Sequence, residues 1–145
     1  MKRLPIRKMG MALLVAVLAY GAYVGFRVFL LWAASDRQAW SVGLASRLIC
    51  LHIKAHQSWP TSWDALISVS PDTDSAVRDS QKKTLVSEVE IDFHADLHDV
   101  AKQSQEDFHA MKTLKPPYYE YWAARVHIIH AAREAVKNEG REGTP

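Results

Sequence analysis

The sequence predicts an α+β protein: an N-terminal transmembrane helix continues into a long amphipathic helix, followed by a small helix-rich exported domain with a short sheet. Three observations carry this. Met9 to Phe26 is a run of 18 residues without a charge. No proline interrupts Asp36 to His56, where apolar residues recur at helical spacing. Only Leu85 to His94 shows strand alternation, with Val89, Ile91 and Phe93 on one side and Glu88, Glu90, Asp92 and His94 on the other.

An 18-residue helix rises about 27 Å at 1.5 Å per residue, close to the hydrocarbon thickness of a bilayer. Arg27 breaks the run, but Val28 to Ala34 continue it, so the anchor is read as residues 9–34, with Trp32 suited to the membrane interface. Residues 1–8 form a basic tail holding Lys2, Arg3, Arg7 and Lys8 and no acid, which by the positive-inside rule stays in the cytoplasm. Residues 35–145 are then exported, across the inner membrane if the cell is bacterial. The rival is a signal peptide cut after Ala19-Tyr20-Gly21, which leaves the apolar stretch Ala22 to Ala34 as a new N-terminus. Gly21 and Gly25, like Ala12 and Ala16, are small residues four apart, which permits close approach of a second helix in the bilayer.

Beyond the anchor, Trp40, Leu44, Leu48 and Leu51 form a stripe on a helix that reaches about Gln57. The lone cysteine, Cys50, has no disulfide partner and is expected to be a buried apolar residue. Ser58-Trp59-Pro60 stops the helix, and Thr61 with Asp64 caps a short helix through Ile67, with Trp59, Trp63 and Leu66 sealing the end of the core. Ser68 to Thr84 is polar, contains Pro71 and is expected to be a surface connection. After the strand, Asp96 caps a helix from Leu97 to about Thr113, with Leu97, Val100, Phe108 and Met111 inward. Pro116-Pro117 ends it. A last helix, Tyr118 to about Asn138, turns Tyr118, Tyr121, Trp122, Val126, Ile129 and Val136 to the core, and Gly140 ends it.

A basic tail, an apolar helix, its amphipathic continuation and a small mixed head together resemble the pseudopilins and type IV pilin-like proteins. The stretch Ile53 to Leu66, with Trp59-Pro60-Thr61 at its centre, is similar to the place where a major pseudopilin's long helix ends in a tyrosine-proline-threonine turn and a short helix. The prepilin peptidase motif is not present: Gly10 is followed by Met11, Ala12, Leu13, Leu14 and Val15, with Val15 where a glutamate would stand. The resemblance implies a pilin-like shape and carries over neither processing nor filament entry.

Five of the 18 basic residues precede Asp36 and none of the 16 acidic ones does, so the rest carries 13 bases against 16 acids. That balance supplies no concentrated basic surface for nucleic acid. His127, His130 and Glu134 fall on one helical stripe and are the candidate metal ligands, against a plain solvated face that Lys137 continues. His52 and His56 are also four apart, without an HExxH context. Glu88, Glu90, Asp92, Asp96 and Asp99 make an acidic cluster that strand geometry keeps from converging on calcium. Tyr119 and Tyr121 beside Pro116-Pro117 offer a rim for a sugar or peptide, against ordinary core packing. There is no Gly-rich phosphate loop, GxSxG or HExxH, and no cofactor is called for. The expected function is a single-pass membrane-anchored structural or assembly protein with the bilayer as partner; the alternative is an anchored metal-binding protein or metal-dependent enzyme.

Overall fold

The computed structural model describes residues 6–114 and 122–142. The chain divides between Asp36 and Arg37 into two units. Helix α1, Ile6–His56, is a single 51-residue helix, as a proline-free sequence allows. Met11 and, from Leu14 to Trp32, the large apolar side chains are exposed, Leu18 at 64% and Trp32 at 66% among them.

From Gln38 onward α1 turns a wide face inward: Ser41, Val42, Ala45, Ser46, Leu48, Ile49, His52 and Ile53 are buried. This corrects the expected stripe. Trp40 is 53% exposed and Leu44 and Leu51 are only partly covered, so the buried face is centred roughly a third of a turn away, at 3.6 residues per turn. Small and hydroxyl side chains there allow neighbours close to the backbone, and Ser46 Oγ donates to Ala124 O at 3.3 Å. The helix stops at Gln57, whose φ of 51° is left-handed and whose N–H donates to Ile53 O at 2.8 Å. Lys54 and His56 in the last turn favour the negative end of the helix dipole.

Helix α2, Trp63–Ser68, is capped by Ser62, which accepts from the Ala65 N–H, and not by Thr61. Trp59 is buried, and its Nε1 donates to Asp92 O at 2.7 Å. Leu66 is fully buried, while Trp63 is partly covered and meets Phe93 edge-on at 5.3 Å.

The polar stretch expected to be a connection is largely helix α3, Ser75–Glu88, capped by Asp74. Its early polar residues serve as caps and ties: Ser70 Oγ donates to Gln81, and Lys82 pairs with Asp64 at 2.6 Å. Only Leu85 and Glu88 of α3 are buried, which explains the missing apolar stripe. Strand β1, Val89–Ile91, is shorter than expected and pairs antiparallel with β2, Met111–Thr113, in the register Val89 to Thr113 and Ile91 to Met111.

The partner strand lies where a helix was expected to end. Helix α4 covers only Leu97–Lys102, with Asp96 accepting from the N–H groups of His98 and Asp99. Beyond it Ser104 and Asp107 bond to each other and to the local backbone, an alternative to helix that these side chains favour. Leu97, Val100, Phe108 and Met111 are all buried as expected, though only the first two are helical. Helix α5, Trp122–Glu142, passes through Gly140 instead of ending there. Its buried face is mostly alanine, Ala124, Ala131, Ala132 and Ala135, around Ile128 and Ile129, with Val136 partly buried. Val126 is only partly covered, and Trp122, expected in the core, is 58% exposed. Tyr118 and Tyr121 lie outside the described residues. Arg133 ties α5 to α4, its Nε and Nη2 donating to Ala101 O and Gln103 O at 2.8 and 3.1 Å.

Trp59→Ala is expected to cost about 3 to 5 kcal/mol, the usual loss for a buried large aromatic, and Ser62→Ala about 1 kcal/mol as a lost cap. Thr61→Ala should be near neutral. Denaturant unfolding of the solubilised chain, read by far-ultraviolet circular dichroism, checks the order; a Thr61→Ala loss exceeding that of Ser62→Ala refutes the cap assignment.

Candidate functional site

A groove of about 890 Å³ lies between the second half of α1 and α5. Gly43, Arg47, Cys50 and Lys54 line it from α1, at spacings of four, three and four that hold them on one face. From α5 come His127, His130 and Glu134 along the rim and Ala124, Ala131 and Ala135 at the base. The two helices run parallel: Ser46 bonds to Ala124 near one end, and Gln57 shares a smaller cleft with Asn138, Glu139 and Arg141 at the other.

His127, His130 and Glu134 are thus brought to one groove, all solvent-exposed, with Lys137 also exposed. No group of three or more His, Cys, Asp or Glu side chains among the described residues is arranged to hold a metal ion. The α1 side of the groove was not singled out in the sequence. Its signal was the Gly43, Arg47, Cys50, Lys54 spacing, masked by the more apolar stripe through Trp40. Cys50 is partly buried and not fully so; burial raises its thiol pKa above the usual value, opposed by the Lys54 charge and a Ser46 hydrogen bond. A thiol held neutral in this way is a poor nucleophile.

The second histidine pair is split by burial. His52 is 7% exposed and its Nδ1 lies 3.3 Å from Ala65 O, whereas His56 is exposed, with ring centroids 4.6 Å apart. Desolvation holds the His52 pKa below its ordinary value; His56 adds to the effect and the Ala65 carbonyl opposes it.

The acidic residues are engaged locally. Glu90 pairs with Lys112 across the sheet, Asp96 caps α4, and Asp99 pairs with Lys102. Asp92 accepts from the His94 N–H, and Glu88, expected on a wet face, is 6% exposed at the end of α3. Tyr119 and Tyr121, with Pro116 and Pro117, lie outside the described residues, so the suggested rim does too. Gly21 and Gly25 are exposed, and a Cβ at either would meet nothing within 4 Å. Comparison with known protein families, characterised proteins and solved structures finds no match to this chain.

The His52 shift fixes a pH dependence. Below the ordinary value of 6.5 the unfolded chain binds a proton that folded His52 resists, so this stability is present above pH 6.5 and is lost as pH falls below it. Urea midpoints measured from pH 8 to 5 should decline below about pH 6.5, and His52→Gln should flatten part of that decline. An identical decline in the variant removes His52 as its source.

Proposed function

We propose that the chain is a single-pass membrane-anchored structural or assembly protein, with its N-terminus in the cytoplasm and the unit beyond Asp36 exported. The observation that carries this is α1, in which an 18-residue window of mean hydropathy 2.0 has none of its residues buried. The apolar segments of a water-exposed fold bury themselves, whereas these side chains stand open over several turns and match a lipid environment. Two further features support anchoring over secretion. The apolar character continues past Arg27 to Ala34, and the same helix then supplies the core residues Leu48, Ile49 and Ile53. The absence of a nucleophile, acid–base or phosphate-loop motif in the sequence favours a structural role. The likeness to pilin-like proteins in the order of parts remains part of this proposal, without the processing that the missing motif would direct.

Membranes from cells expressing the chain should retain it through alkaline extraction, and protease added to spheroplasts should remove the C-terminal epitope. N-terminal sequencing should begin at or next to Met1. Release into the alkaline supernatant, protection from protease, or a new N-terminus at Ala22 would each overturn the corresponding part of the proposal.

A further inference from the structure

We propose that the α1–α5 groove binds a long-chain carboxylate, its head at Arg47 beside His127 and its acyl chain along the alanine-lined base. The groove is lined only by residues of the unit beyond Asp36, so what it binds is independent of whether α1 crosses a membrane.

Size comes first: about 890 Å³ lies within the roughly 300 to 1,000 Å³ range of small-molecule sites. Shape comes second. From Gly43 to Gln57 the groove follows α1 for about 21 Å at 1.5 Å per residue, which suits an extended chain. Its base includes Ala124, Ala131 and Ala135 with Cys50 and Ile53, small or aliphatic side chains that present apolar surface, and the hydroxyl of buried Ser46 is already engaged with Ala124 O.

Charge decides the head. Arg47 and Lys54 are exposed cations that make no salt bridge among the described residues. Because the two helices run parallel, Arg47 lies toward the same end as His127 and His130, and Lys54 toward the same end as Glu134. Only the Arg47 end therefore lacks a carboxylate among the lining residues. There a guanidinium fork meets a carboxylate with two parallel hydrogen bonds, and either imidazole can donate a third. Lys54, at the end of the groove that also carries Glu134, lays its aliphatic stem along the tail.

The test uses the full chain in phosphatidylcholine nanodiscs with palmitate carrying a photoactivatable diazirine in its chain, followed by peptide mass spectrometry. Label is expected on peptides covering 43–57 and 123–138, displaced by excess palmitate and not by its neutral glycerol ester. Arg47→Gln should reduce this label about tenfold or more, the loss expected of one charge-assisted pair, and Lys54→Gln less than about threefold. Gly43→Phe should also block it, with far-ultraviolet circular dichroism matching the parent chain; a Cβ at Gly43 meets nothing within 4 Å. Label confined to residues 9–34, equal displacement by the neutral ester, or groove label indifferent to Arg47→Gln would each overturn the proposal. Labelling of residues 9–34 is read separately and bears on the anchor alone.

Discussion

The burial of one face of α1 between Gln38 and Ile53 is the constraint on which the rest of the Arg37–Pro145 unit depends. No other element before α5 has the means to stand by itself. Helices α2 and α4 are six residues each and the two strands three each, all below the length at which isolated helices or hairpins persist in water. Helix α3 is longer, at 14 residues, but buries only Leu85 and Glu88. The apolar residues of these pieces share one buried core with Val42, Ala45, Leu48, Ile49 and Ile53, and polar contacts placed at their ends join them to one another. Trp59 reaches across to the carbonyl of Asp92 and Arg133 to the carbonyls that end α4. Each of those bonds satisfies a backbone acceptor that a short element leaves open, so the same contact serves both as cap and as tie.

Legibility in the sequence followed the strength of the local signal. The long helix, its stop at Trp59-Pro60, the short helix after it and the alternation of Val89 with Ile91 were readable because periodicity, proline and capping chemistry all agree there. The stripe on α1 was misplaced because Trp40, Leu44 and Leu51 are larger than the Ser41, Val42, Ala45 and Ser46 that are in fact buried. Hydrophobicity marks where burial is most rewarding, whereas close helix packing selects for small side chains, and the two criteria diverge here. The same divergence hides the packing face of α5, which is mostly alanine.

The region from Leu97 to Thr113 failed for a different reason. Leu97, Val100, Phe108 and Met111 keep near-helical spacing and all enter the core, but spacing alone does not distinguish a helix from a short helix, a turn and a strand that return to the same side. The turn is decided by Ser104 and Asp107, whose side chains bond locally, and the strand by its partner at Val89–Ile91, a non-local fact. Helix α3 went unread in the opposite direction. Its Ser, Asp and Thr residues are as compatible with a solvated helix behind a good cap as with a loop, and Asp74 settles the matter only once its bond to the Ala76 N–H is seen.

The candidate site shows why a set of residue types identifies less than their surroundings do. His127, His130 and Glu134 match a ligand list, yet they stand exposed on one helix, and no hydrogen bond among the described residues orients them as metal ligands need. What distinguishes their neighbourhood is the opposite wall, where Arg47 and Lys54 line the groove and make no salt bridge among the described residues. Alanine and glycine let two helices approach closely at their contact, but where the helices part, the same small side chains leave a trough that protein atoms do not fill. A trough with a largely apolar base and, among the described residues, no carboxylate at its Arg47 end differs in kind from a packing defect, because the charge gives one orientation of an amphiphile an advantage over the other.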